Sequence, residues 1–388
     1  MIDKLFGTLA AIACGLGLLM AWSQSPLVWL GFSGFVFALL GAWAVCRLVL
    51  SVRHFRPNIG FGAWLPLLCL AAVPIWGAFQ LRMGWTAYRL ATEVDVLRWS
   101  VFASVLFLVV RINPRGGSEY RFRAIFANYA FAVTGLSLLD YLTSNQLFGL
   151  TTGTPAGPFL NVDHFATFIL LAFPVVVCEI ARSPQNQSLH VVSAATLIAG
   201  VVGSQSRAGI TLLVLELMVL PLLIRRTGSE RRDEQISLKP FGALAVLAIV
   251  FAVGVGIETA SSRFQHISAD FPVRMQLWKA SLEIFRLHPW AGSGLGTWIY
   301  VYPAHALFDQ GVFANAAHSD WLQWACDGGL VVTVCMLLLF FRSLMMAWKR
   351  PWALGLVVVF LHSAGDFPMQ GKFLPCLFWV VYAVACKA

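Results

Sequence analysis

Apolar stretches long enough to cross a bilayer recur along the whole of this chain, and that repetition excludes most folds. A bilayer core needs ~20 apolar residues per helix, within a range of about 17–25. Such stretches fall at about 5–22, 27–46, 63–81, 96–112, 124–140, 162–181, 188–204, 207–224, 240–258, 320–341, 352–366 and 373–386. Composition agrees: 59% of the 388 residues are apolar and 12% charged, whereas soluble domains carry about a quarter charged residues. An ordinary cytosolic enzyme, a disordered chain and a nucleic-acid-binding domain are all excluded. The expected fold class is an all-α integral membrane protein, a bundle of about 12 transmembrane helices with one large outer loop containing an amphipathic helix.

The net charge of +9 is informative through its placement. Lys4, Arg47/Arg53/Arg56, Arg111/Arg115/Arg121/Arg123, Arg182, Arg225/Arg226/Arg231/Arg232/Lys239, Arg342/Lys349/Arg350 and Lys387 make up 18 of the 27 basic residues. They alternate, loop by loop, with the other nine: Arg82, Arg89, Arg98, Arg207, Arg263, Arg274, Lys279, Arg286 and Lys372. The positive-inside rule then puts both termini in the cytoplasm. The run from residue 5 to Trp22 suits a signal peptide in length, but a second apolar stretch begins at once, so a retained first helix is expected. Eight cysteines lie in or beside apolar runs without metal-ligand spacing and read as small core residues. Three regions follow: helices 1–9 over 1–258, an outer loop over 259–319, and helices 10–12 over 320–388.

That outer loop, 61 residues long, is where chemistry is expected, because long loops with their own helical pattern are commonly functional. Asp270 and Pro272 suit a helix start, Val273–His288 is amphipathic, and Pro289 stops it. Arg274, Trp278, Ser281 and Phe285 share one face; Lys279, Glu283 and Arg286 share another. Gly292–Gly296 reads as a turn able to bring backbone N–H groups to an anion. Tyr300, Tyr302, His305, His318 and Asp320 follow. Trp278, Trp290, Trp298 and Trp321 suit interface anchoring. Two further outward places carry polar residues, Asn161-Val-Asp163-His164 and the tight turn Ser206-Arg207-Ala208-Gly209. Asn161 and Asp163 also suit capping of the sixth helix, and Asp366 suits pairing with Lys372. Glu216, nine residues beyond Arg207, lies about 180° round the helix and ~13 Å deeper, so it is expected to pack in the bundle.

These residues resemble the bacterial O-antigen ligase and O-antigen polymerase superfamily. The resemblance rests on Gly157–Ala166, on Ser206-Arg207-Ala208 and on Arg274, Trp278, His288-Pro289 and Gly292–Gly296. It rests also on His318-Ser319 with Leu322 and on His362–Pro368, all in order from about residue 150 onward. Two departures stand out: Ser319 replaces the commoner Asn, and Asp327-Gly-Gly329 is followed by Val332 where a last Gly is usual. The resemblance implies a multi-pass protein of the bacterial inner membrane with a periplasmic active site. It implies transfer of a whole glycan from undecaprenyl diphosphate to a hydroxyl, with lipid A-core as acceptor for a ligase. A polymerase uses a second lipid-linked repeat unit instead, and a third branch glycosylates protein hydroxyls.

The chemistry fits those residue types. A diphosphate leaving group needs fixed cations at headgroup level, and Arg207, Arg274 and Lys279 are the candidates. A sugar hydroxyl needs a base, and His318 supplies one. Asn161, His164, Trp278, Tyr302, His305 and Asp320 are candidate donor or acceptor contacts. No cofactor is expected, and no metal, because the outward face lacks converging carboxylates. The same lack argues for single displacement with inversion. A lipid-linked sugar transporter is the rival from another class, but a carrier should show repeated halves and mid-membrane polar sites. In intact cells, cysteines placed in 226–238 should resist a membrane-impermeant thiol reagent and those in 305–315 should react. The reverse pattern would overturn the orientation.

Overall fold

The computed structural model describes residues 2–23, 25–50, 61–112, 118–144, 155–182, 184–229, 267–306 and 313–386. Among them the regular structure is helical, with no strand. In chain order the helices are α1 (Ile2–Leu18), α2 (Pro26–Leu50), α3 (Phe61–Met83), α4 (Arg89–Val110), α5 (Ser118–Leu142), α6 (Val162–Arg182) and α7 (Gln187–Ser204). There follow α8 (Arg207–Ser229), α9 (Ile267–Leu287), α10 (Trp298–Val301), α11 (Asp320–Lys349), α12 (Leu354–His362) and α13 (Phe373–Ala385). Seven are long and apolar enough to cross a membrane, and Pro351–His362 and Phe373–Ala385 are shorter apolar helices. The expected ninth span, 240–258, lies outside the described residues, as do 230–239, 259–266 and 307–312. The chain forms two compact units.

The first unit is Met1–Gly116, Ser268–Arg342 and Ser363–Ala388. Its hub is α4, which packs on α1, α2, α3 and α13. Beyond its first turns α4 is apolar nearly all round, and Trp99, Phe102, Val105, Leu106 and Val109 are all buried. Near the C-terminal end of α4, Asp3 accepts from Trp43 Nε1 at 2.8 Å and pairs with Arg47 and Arg111. At the other end of α4 sits the long loop, which folds around a core of its own. Leu277, Ala280 and Ile284 of α9 pack with Trp298, Tyr302, Ala317 and Cys326. Trp298 stacks on Tyr302 at 4.7 Å and donates through Nε1 to Ser281 Oγ at 2.9 Å. Three expectations change here. Helix α9 runs from Ile267, so Asp270 lies inside it and not at its start. Trp298 is fully buried and anchors no interface, whereas Trp290 is 73% exposed.

The third change concerns the glycine turn. Its N–H groups are already used: Gly292 donates to His288 O, Ser293 to Cys326 O and Gly294 to Asp327 O. Leu295 N donates to Gln80 Oε1, and Trp298 N to Asp327 Oδ1. The turn docks onto α11 instead of cradling an anion. It can do so because α11 is broken at Gly329, where φ is 64° and ψ is −158°. Leu330 N reaches across the break to Pro289 O at 2.8 Å.

The second unit is Gly117–Ile267 and Ser343–His362. Here α6 is central, packed on α5, α7, α8 and α12, and every residue from Phe165 to Val177 is buried. Gly355 lets α12 approach the α6 backbone, since a Cβ there would lie 2.5 Å from Leu171 O. One end is tied by the Arg123–Glu179 ion pair and by Trp352 Nε1 donating to Glu119 at 3.0 Å. Glu216 is buried on α8, as expected.

Gly292 and Gly84 have nearly the same φ, +72° and +71°, but an added Cβ collides with the Asp327 carbonyl in the first and meets open space in the second. Gly84→Ala should therefore cost only the left-handed backbone penalty of about 1–2 kcal/mol. Gly292→Ala should cost distinctly more, read as a lower unfolding temperature in detergent. Equal losses would show that the turn is not docked.

Candidate functional site

Residues of the long 267–319 stretch and of the segment after α12 meet in the first unit. Arg274 on α9 is half-buried, and its Nη1 donates to Gly365 O at 2.5 Å. No carboxylate among the described residues pairs with Arg274, and its contact to that carbonyl uses one donor of the planar fork. One residue further along, Asp366 places Oδ1 at 3.9 Å from His318 Nδ1, and Phe367 meets the His318 ring edge-on at 4.8 Å. The His318 side chain is 31% exposed and that of Asp366 is 1% exposed. A cation and an imidazole are thus seated on three consecutive residues, 365–367.

Local chemistry explains why His318 is held there. Its φ is +49°, a left-handed value that costs a non-glycine residue about 1–3 kcal/mol and persists only where neighbours enforce it. Trp278 Nε1 donates to His318 O at 3.2 Å. Just after it, Ser319 is the N-cap of α11: its Oγ accepts from Leu322 N at 3.4 Å, while Gln323 Oε1 accepts from Ala317 N at 3.1 Å. Asn caps helices as well as Ser does, so the departure from the family pattern at 319 preserves the local geometry. Trp278 itself does not carry Arg274 on its face. Phe271 meets that ring edge-on at 6.3 Å instead.

Other expected contact residues are placed differently. Lys279 is exposed, about 140° round α9 from Arg274. His305 lies against Glu283, with Nδ1 3.4 Å from Oε1. Tyr302 is stacked in the loop core, and burial pushes its phenol above the ordinary range. Asp320 is wholly buried; its Oδ2 accepts from Met369 N at 3.0 Å and its Oδ1 from Gln370 Nε2 at 2.8 Å. Both oxygens are therefore occupied inside the protein. Lys372 forms no pair with Asp366, and burial together with the nearby Arg98 guanidinium holds its amine below the usual lysine range.

Arg207, Asn161 and His164 belong to the second unit. Gln205 takes a left-handed φ of 59° to end α7, and Ser206 stands just before α8. Ser206 Oγ accepts from Gly209 N at 3.0 Å and donates to Asp163 Oδ1 at 2.5 Å. Arg207 is then the first residue of α8. A guanidinium at the positive end of a helix is opposed by the dipole, so this end favours an incoming anion. Asn161 caps α6, its Oδ1 accepting from Asp163 N at 2.8 Å, and partly buried His164 follows in the first turn. Thr167 Oγ1 donates to Asp163 O and lies 2.8 Å from His362 Nδ1.

Gln80, Arg98 and Gln370 are not marked out as site residues by the sequence. Gln80 Nε2 donates to Ala291 O and Asp327 O, and Arg98 reaches Gln370. The contacts of Gln80 with 291 and 327 and of Arg98 with Gln370 span 211 to 272 positions, so no local pattern signals them.

A family model described as O-antigen ligase matches residues 192–337. That stretch includes Arg207, Arg274, Lys279 and His318, and the match bears out the superfamily resemblance carried by the motifs. Comparison with curated proteins gives no match. With its apolar helices, the chain is a multi-pass membrane protein. The Ser206 cap generates a direct test. Ser206→Ala should lower stability by about 1 kcal/mol, and Ser206→Thr should retain it, read by thermal unfolding in detergent. An unchanged midpoint in the Ala variant would remove the cap from the account of Arg207.

Proposed function

From its place in the O-antigen ligase and polymerase superfamily, we propose that this protein moves a glycan en bloc from undecaprenyl diphosphate to a hydroxyl of lipid A-core, on the periplasmic side of the bacterial inner membrane. One observation carries the reading: a half-buried arginine with no carboxylate partner among the described residues and an imidazole are fixed on adjacent residues of one segment. The first suits a diphosphate and the second a hydroxyl proton.

In this mechanism the acceptor hydroxyl oxygen attacks the anomeric carbon of the donor sugar. The bond from that carbon to the diphosphate oxygen breaks as the new glycosidic bond forms. His318 takes the hydroxyl proton, and the departing diphosphate keeps the bonding electron pair. Arg274 meets that charge with its donor fork; Arg207, at a helix N-terminus of the second unit, is the other candidate cation that the family motifs imply. Lys279, exposed on another face of α9, has the weaker claim. The proposed reaction is a single displacement with inversion and uses no metal. The polyprenyl tail, being apolar, would lie between apolar helices.

The test is transfer by purified protein in lipid, where excess EDTA should leave the rate nearly unchanged. General-base assistance contributes ~10²–10⁴-fold, so His318→Ala should lose activity on that scale while still binding the lipid-linked donor. Wild-type turnover should rise with pH through one titration, because the neutral imidazole is the active form. A rate that falls with pH, together with weakened donor binding in His318→Ala, would make His318 an anion-holding cation instead. Arg274→Lys should lose much of the activity and Arg274→Ala nearly all. A fully active Arg274→Ala would remove the clamp. In a deletion strain, loss of all O-antigen from an intact core fits a ligase, whereas a core bearing one repeat makes the protein a polymerase.

A further inference from the structure

We propose that Arg98, Gln370 and Asp320 form a relay that positions the 363–370 segment, and through it Asp366 against His318, for glycan transfer. The role rests on the transferase reading above; the contacts themselves do not. Arg98 sits on α4, in an ion pair with Asp95 at 2.7 Å, and Asp95 in turn accepts from Trp99 Nε1 at 3.1 Å. Arg98 Nη1 donates to Gln370 O at 2.5 Å and Nη2 to Gln370 Oε1 at 3.1 Å. The other end of the same amide, Nε2, donates to Asp320 Oδ1 at 2.8 Å. The second Asp320 oxygen accepts from Met369 N, and the Asp320 N–H reaches Ser363 O at 2.9 Å and Asp366 O at 3.0 Å.

Asp320 therefore grips the segment at both ends, two residues from His318. Asp320, 0% exposed, can touch no substrate. A buried carboxylate is tolerated only when its oxygens are satisfied, and here the donors that satisfy it belong to the segment and to the amide that Arg98 orients. These three are positioning residues. Arg274 and His318 both rest on this segment, at Gly365 and at Asp366–Phe367. A shift of about 1 Å in it would misplace both, and misplacement of that size can cost ~10²-fold.

The direction of the hydrogen bonds gives a specific test. Asp320→Asn puts an amide where two donors converge, and Gln370→Glu sets a carboxylate against Asp320. Combining Asp320→Asn with Gln370→Glu reverses the bond. The amide nitrogen now on α11 donates to the carboxylate now on the segment, and the amide oxygen still accepts from Met369 N. The introduced carboxylate still accepts from Arg98. The single variants in nanodiscs should lose about ten- to a hundredfold in kcat with donor KM little changed, and amides of 363–370 should exchange hydrogen faster. The double variant should recover both. A double variant no more active than the weaker single one, in an active wild-type background, overturns the relay alone. So does restored protection of 363–370 without restored kcat, or full activity in the singles. A wild type that transfers no glycan overturns the transferase reading and the positioning role with it.

Discussion

A helix broken in the interior of a membrane protein exposes backbone donors and acceptors that must find partners nearby, because an unmet group there costs several kcal/mol. The break in α11 at Gly329 creates that demand, and the glycine turn meets it. Leu330 N bonds to Pro289 O, and Cys326 O and Asp327 O accept from Ser293 N and Gly294 N. Gln80 closes the set from α3, donating to Ala291 O and Asp327 O and accepting from Leu295 N. The positive φ values at Gly292, Gly294 and Gly296 are the backbone form that lets the turn come this close. Once docked, the turn fixes the end of α9 against the start of α11. Arg274 is on the one and His318 just before the other, so their separation is set by this seam.

The second unit follows the same logic at its own polar end. Ser206, Asp163, Asn161 and Thr167 each serve a helix terminus or tie one terminus to another. This bonding leads directly to Arg207, which starts α8 where a cation is not stabilised by the helix itself. The polar residues that looked chemical are largely scaffold, and the cation they position is the candidate for function.

The apolar runs, the amphipathic character of α9 and the capping at Asn161 are local properties with a fixed period or a fixed offset, and they can be read directly from the sequence. The placement of Arg274 and His318 on one segment was legible only through family motifs, because Gly365 and Asp366 are 91 and 48 positions away from them. Burial was the poorest guide. Trp298 and Tyr302 of the long loop and Asp320 just after it are aromatic or polar, yet all three are inside. The loop makes its own core from residues of α9, α10 and α11, and a pattern drawn along the sequence does not show which faces will close on each other. Gln80 is a further case: one amide within an apolar helix, with partners 211 to 247 positions later.

The fate of the acids bears on the chemistry. Asp320 has both oxygens occupied by the 369–370 segment, and Asp327 accepts from the α10 N-terminus. Asp95 is engaged by Arg98 and Trp99. Each of these carboxylates already satisfies a donor of the fold, so none is placed to attack a sugar without first abandoning a buried bond. A double displacement needs a carboxylate nucleophile paired with an acid at short range. Asp366 places its Oδ1 3.9 Å from the Nδ1 of His318, an ion-pair separation rather than a hydrogen bond. Asp320, Asp327 and Asp95 are thus spent on holding the fold, and it is this use of the three acids that the proposed single displacement is argued from.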